Sequence, residues 1–181
     1  MATDTALKYY TDNGVNPKKI LLGVPLYGRS FQDTAGLGEP YSGVGPGGPR
    51  PLGVKQRPGV WYFNQLPREG AKEHWDGVAR ASYSYDNVTR EFITYDNVAS
   101  SINKAHYVIA RGLGGAFFWE ARGDRVGAES LVSMMRTTMT HLERDKNNLD
   151  YPTSEYDNIR NCMPWLIIHK VTDSKERKHS K

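Results

Sequence analysis

Two short stretches bring aromatic, hydroxyl and charged side chains together at spacings suited to holding a polar ligand. Tyr27-Gly28-Arg29-Ser30 closes one apolar run, and Trp119-Glu120 closes another. Side chains alternate along an extended chain, so Tyr27 and Arg29, two residues apart, share a face. Tyr27 offers a hydroxyl on an aromatic body, and Arg29 offers a planar fork of donors. Trp119 offers a broad indole face, and Glu120 after it marks the end of an apolar strand rather than its middle. From the residues alone Tyr27 and Arg29 are either a plain strand exit facing solvent or the wall of a ligand site, and Trp119 is either a core tryptophan or part of such a site. Trp61 and Tyr62, in the short segment Val60-Trp61-Tyr62-Phe63, are open in the same way, between ligand contact and internal packing.

Other chemistries find little material. Cys162 is the single cysteine, which excludes an intrachain disulfide and any CxxC pair. His74, His106, His141, His169 and His179 are scattered without an i, i+4 pair, so no metal and no cofactor are expected. The formal charge is +4, yet Lys170 to Lys181 alone carries five Lys or Arg against Asp173 and Glu176. The rest is near neutral and no basic stripe follows a helix, so nucleic acid is not an expected partner. No run of 18 apolar residues occurs, so no membrane span is expected. Met1 to Tyr10 has neither the basic nor the apolar region of a signal peptide, which fits a cytosolic protein or an interior piece of a secreted one. The sequon Asn87-Val88-Thr89 leans towards the second.

The elements that must position these residues follow from periodicity and turn chemistry. Thr3 or Asp4 is placed to cap a helix running to Asn13, with Gly14 as its left-handed stop. Ile20 to Leu26 is nearly continuous in apolar residues and predicts a strand buried on both faces. Residues 32–58, rich in Gly and Pro, read as a long irregular loop. Ala79 to Tyr85 and Glu91 to Thr94 predict a hairpin turning through Asp86-Asn87. Asp96 is placed to cap a helix with Val98, Ile102, Ala105 and Ile109 on one face, ended by Gly112. Leu113 to Trp119 predicts a second buried strand, its glycines allowing close backbone approach. Ala128 to Leu142 predicts a last amphipathic helix with Leu131, Met135 and Leu142 inward. Helices alternating with strands imply a parallel α/β sheet, and the connection from Phe31 to Asp96 is too long for a loop and implies an α+β subdomain. Two core strands alone do not close a barrel, which suggests an incomplete chain.

Several stretches in order carry a family likeness. Lys19-Ile20-Leu21-Leu22-Gly23-Val24-Pro25-Leu26-Tyr27-Gly28-Arg29-Ser30-Phe31 resembles the seventh barrel strand of family 18 glycoside hydrolases, and Gly112-Leu113-Gly114-Gly115-Ala116-Phe117-Phe118-Trp119-Glu120 resembles the eighth. Ala79 to Asp86 is similar to the insertion domain between them, and Leu149 to Ile159 is similar to the C-terminal end of fungal-type chitinases. The resemblance implies an α/β fold: a partial TIM (β/α)8 barrel, its last two strands and helices, with an α+β insertion subdomain. Residues 1–31 and 96–164 then belong to the barrel, 32–95 to the insertion, and 165–181 form a basic tail expected to be disordered. Barrel sites lie at the C-terminal strand ends, so the resemblance gives Trp119 the role of the hydrophobic floor, where an indole packs on the apolar face of a sugar ring. It gives Tyr27 and Arg29 the role of a polar wall, and leaves Trp61 as a further contact from the insertion.

The implied activity is hydrolysis of β-1,4-linked N-acetylglucosamine polymers with the substrate's own N-acetyl group as nucleophile, a substrate-assisted scheme. It needs Asp-x-x-Asp-x-Asp-x-Glu, whose Glu is the acid, and a Met-x-Tyr-Asp motif on the sixth strand. Neither occurs between Met1 and Lys181, so no catalytic residue is assigned and Glu120 is not given the acid's role. The expected partner is chitin or a chitooligosaccharide, with self-association if the chain is expressed alone, and the implied location of the parent family is extracellular. The alternative is a non-catalytic chitooligosaccharide-binding remnant, or a gene fragment that does not fold alone.

Overall fold

A computed structural model describes residues 3–49, 55, 57–144 and 150–160. The expected tail 165–181 lies outside the described residues. The chain divides into two compact units, 1–142 and 143–181.

The first unit opens with helix α1 (Thr3–Asp12), stopped by Gly14 at φ +87° as its position predicted. Strands β1 (Leu21–Pro25) and β7 (Gly115–Trp119) then pair in parallel, Leu21 opposite Gly115 and Pro25 opposite Trp119. One face of this pair is covered by helices α2 (Val98–Ala110) and α3 (Leu131–Met139), where Val24, Ala105 and Met135 are buried and Ala116 and Phe118 pack against them. The other face is open: Leu21, Phe117 and Trp119 are 52%, 50% and 60% exposed. The expectation of strands buried on both faces is thereby corrected, because only the helix side of the pair has a covering layer. On the open face the Phe117 ring lies across Gly23, where a Cβ would meet Cζ at 2.9 Å. At the strand's start Gly114 donates to the carbonyls of Pro17 and Ile20, the close approach its glycines predicted.

Between β1 and β7 runs a five-stranded antiparallel sheet in the order β3-β2-β6-β5-β4, formed by β2 (Tyr27–Phe31), β3 (Val60–Tyr62), β4 (Lys72–Asp76), β5 (Ala81–Asp86) and β6 (Glu91–Tyr95). The segment Tyr27–Phe31, read as the exit of a barrel strand, is hydrogen-bonded here to β3 and β6. Leu26, Trp61, Phe63, Leu66, Ile93, Tyr95 and Leu131 form the core beneath it. The expected hairpin is β5–β6, with Asp86 opposite Glu91. The Asp86 carboxylate accepts from the Thr89 hydroxyl at 2.7 Å and from Val88 N at 2.8 Å, and these bonds, the first foremost, hold its pKa below the ordinary value. β4 was not expected, because Lys72-Glu73-His74-Trp75-Asp76 offers no apolar alternation; it is a charged edge strand, a common way of blunting a sheet edge. Tyr95 donates to Glu73 at 2.6 Å, and burial together with that carboxylate pushes the phenol's pKa up.

The helix starts and faces differ from the sequence reading by one residue or one turn. Asn97, not Asp96, caps α2: its side chain accepts from Ser100 N, and the Ser100 hydroxyl accepts from Asn97 N. Asn97 is the last extended residue before the helix, where a cap must sit, whereas Asp96 is buried and pairs with Lys104. The inward face of α2 carries Ser101, Ala105 and Val108, and Ile109 is 53% exposed. α3 begins only after its cap Ser130, so Leu142 lies beyond its end and is exposed. Asp124 supports that cap, accepting from the Ser130 hydroxyl at 2.7 Å and Leu131 N at 2.9 Å.

In the second unit the described residues include one short helical turn, α4 (Asp157–Arg160), within which Arg160 pairs with Asp157. Among the described residues no helix is long and apolar enough to cross a membrane, and no group of three His, Cys, Asp or Glu is placed to hold a metal ion.

Asp124→Ala strands the α3 cap and should cost about 1–3 kcal/mol in urea unfolding, the range of a lost helix cap with an added buried donor. Asp86→Ala should lower Tm near neutrality. Because its folded-state pKa is depressed, this contribution is present above the ordinary carboxylate range and lost as pH falls through the folded value. The Tm gap between Asp86→Ala and the parent chain should therefore close on acidification; a gap that persists at low pH would contradict the turn's role.

Candidate functional site

The site is assembled from β2, β3, the loop before β3 and the end of β7. Along β2 the small residues Gly28 and Ser30 are buried, so Tyr27 and Arg29 occupy the opposite face, as alternation predicted. Gly28 is required there, since a Cβ would meet Ile93 and Leu66 side chains at 2.8 Å. The antiparallel register sets Tyr27 opposite Tyr62 and Arg29 opposite Val60, which places two phenols side by side next to a guanidinium. The Arg29 guanidinium lies 5.4 Å from the centre of the Tyr27 ring.

Trp119 reaches the same place from the other sheet. Leu26 N donates to Trp119 O at 2.8 Å, so the end of β7 is fixed beside the start of β2. The Tyr62 hydroxyl donates to the Glu120 carboxylate, closing the corner between β3 and β7. The result is an open cleft of about 360 Å³ lined by Tyr27, Arg29, Val60, Tyr62, Trp119 and Glu120. Lys55, Arg57 and Pro58 from the loop before β3 form its remaining edge. The lining combines an exposed indole, two phenols and three cationic side chains, groups chemically suited to a ring-shaped, oxygen-rich ligand. Glu120 is the carboxylate among the lining residues, and it is engaged by Tyr62.

The structure brings together Tyr27, Arg29 and Trp119, and it does not bring Trp61. Val60 and Tyr62 share the cleft face of β3, so alternation turns Trp61 to the opposite side. Trp61 is 9% exposed, packs in the core with Leu26 and Leu66, and carries the Arg68 guanidinium 4.2 Å from its ring centre. Of the two readings open in the sequence, internal packing holds for Trp61, and Tyr62 takes the cleft position. Lys55 and Arg57 gave no sequence signal, because a Gly- and Pro-rich loop has no periodicity from which to read a facing direction.

A parallel β/α pair with its candidate site at the C-terminal strand ends is the arrangement of a (β/α)8-barrel enzyme, here with an antiparallel subdomain inserted after the first strand. The chain belongs to the glycosyl hydrolases family 18, whose model matches residues 1–124. It is similar to Chitinase 1 of Aphanocladium album, 41% identical over 161 residues, and to Endochitinase 1 of Metarhizium robertsii, 43% identical over 161 residues. Each alignment takes in 89% of this chain and 36% of the relative, so the chain spans about a third of the length of these fungal proteins. In structure it resembles a mutant class V chitinase from Nicotiana tobaccum in complex with NAG4, with a TM-score of 0.64, 26% identity, and coverage of 75% of this chain and 38% of that one. The architecture is thus part of a TIM barrel with the fungal type of family 18 sequence.

Tryptophan accessibility tests this placement. Trp119→Phe should remove a readily acrylamide-quenched component of the fluorescence, whereas Trp61→Phe should remove emission without lowering the quenchable fraction. Equal quenching of both indoles would contradict the burial of Trp61.

Proposed function

We propose that this chain supplies the floor and one wall of a chitin-binding cleft, with Trp119 as the floor under a sugar ring and Tyr27 and Arg29 as the polar wall. The observation that carries this reading is that three side chains from two strands of different sheets line one open cleft at the C-terminal end of β7. A pyranose ring has one apolar face and a rim of hydroxyls. An exposed indole suits the face, and phenols with a guanidinium suit the rim. Tyr62 joins the wall beside Tyr27, and Trp61 stiffens the strand from behind. The family's chitinases and the neighbour holding NAG4 support a chitooligosaccharide as the ligand.

In this reading the chain binds and orients but does not cleave by itself. The acid and the residue that steers the N-acetyl nucleophile belong to a motif that the 181 residues do not contain, and general acid catalysis alone is worth about 10²–10⁴-fold. With one wall present the ligand is only partly enclosed, so affinity should lie in the millimolar range, about −4 kcal/mol. A second feature shapes its behaviour in solution. The open face of the parallel pair, with Leu21 and Phe117 half exposed, favours self-association, since apolar sheet faces rarely stay bare.

Saturation-transfer NMR with chitotetraose should give signal with the parent chain and with Trp75→Ala, and none with Trp119→Ala. Equal signal from parent and Trp119→Ala means that the cleft is not the site. A fluorogenic chitobiose or chitotriose substrate should show no release above a heat-killed control, and clear turnover would overturn the binding-only assignment. Light scattering after size exclusion should show mass rising with concentration, and a concentration-independent monomer would contradict self-association.

A further inference from the structure

The hairpin tip carries a feature that the cleft does not use. Asn87-Val88-Thr89 is the single Asn-x-Ser/Thr triplet with x other than Pro in the sequence, and the fold places it in the four-residue loop between the paired ends Asp86 and Glu91. Asn87 is exposed and makes no hydrogen bond through its side chain among the described residues, and Val88 is 85% exposed. The loop is held without Asn87, because Asp86 accepts from Val88 N, Thr89 N and the Thr89 hydroxyl. The amide nitrogen is therefore accessible, and its modification disturbs no bond that shapes the turn.

The tip also points away from the cleft. β2 enters the cleft at Tyr27 and leaves at Phe31, which pairs with Phe92 next to the hairpin loop. At about 3.3 Å per residue, the strand alone separates Tyr27 from that end by roughly 13 Å. The first sugar on Asn87 would therefore be attached beyond the end of β2 that is remote from Tyr27.

We propose that Asn87 is an N-glycosylation site, used when the chain enters a secretory compartment. The co-substrate is a lipid-pyrophosphate-linked oligosaccharide. The Asn87 amide nitrogen forms a bond to C1 of the first sugar, the bond from C1 to the pyrophosphate oxygen breaks, the lipid pyrophosphate leaves, and the amide nitrogen gives up a proton. The Thr89 hydroxyl completes the recognition triplet. This assignment is independent of the sugar-binding reading.

The test is expression of the full chain behind a cleavable secretion leader in yeast, followed by mass spectrometry of the Asn87 peptide. Only chains whose leader has been removed are scored, since these have entered the compartment whether or not they fold. The expected result is a glycan on Asn87 that a peptide N-glycanase releases, absent in Asn87→Gln and Thr89→Ala and retained in Thr89→Ser. Leader-cleaved chains with a bare Asn87 would overturn the assignment. Acrylamide quenching of Trp119 should be the same before and after glycan release, and a glycan that shields Trp119 would overturn the placement of the tip away from the cleft.

Discussion

Leu26 is the residue on which the site's geometry depends. Its N–H donates to the carbonyl of Trp119, and its own carbonyl accepts from Phe63 N at 2.9 Å. Its side chain is fully buried among Trp61, Phe63, Leu66, Ile93, Tyr95 and Leu131. One residue, through its two flanking peptide groups, thus joins the parallel pair to the segment that follows β3. A buried backbone group without a partner costs about as much as a lost hydrogen bond, so neither sheet can slide away from the other cheaply. Gly123 lets the chain after β7 close over this point, since a Cβ there would stand 2.1 Å from Leu26 O. Asn64, donating to Arg122 O and Asp124 O, adds a second tie between the same two regions.

The inner side of β3 explains why an aromatic pair so suggestive in sequence divides its labour. Trp61 lies over the core with Arg68 stacked on it, and Arg68 also pairs with the buried Glu91 of β6. Glu91 is 3% exposed, so removing its cation would leave a charge in a low-dielectric setting, an expensive arrangement. The core therefore fixes Trp61, and strand alternation then obliges Tyr62 to face the cleft. The site's polar wall is in this sense a consequence of packing behind it.

The open face of the parallel pair is the counterpart of the missing acid motif. In a closed barrel each strand's inner side chains are filled against those of the others. Here two strands leave Leu21, Phe117 and Trp119 uncovered, and the chain spans 36% of the length of the fungal relatives it matches. Trp119, the floor of the candidate cleft, and the apolar Leu21 and Phe117 thus lie uncovered on one face of the pair.

Strands β1 and β7, the β5–β6 hairpin and the three longer helices were legible in the sequence because apolar periodicity and turn residues such as Asp86 and Gly14 act locally. Tyr27, Arg29 and Trp119 were legible as candidates through their place at the ends of apolar runs and through family likeness. β4 was not, because an edge strand of charged residues has no burial pattern to reveal it. Asn97 against Asp96 at the start of α2 turned on which residue is the last extended one before the helix, and Asp96 is instead buried in an ion pair with Lys104. Whether Trp61 or Tyr62 faces the cleft depended on which side of β3 the core lies, a question that a three-residue apolar segment leaves undetermined. Local sequence thus determined the longer helices, the β1 and β7 strands, the hairpin and the chemical types at their ends. The pairing of β2 with β3 and the tie at Leu26 decided which of those side chains meet in one cleft, because those contacts join residues tens of positions apart.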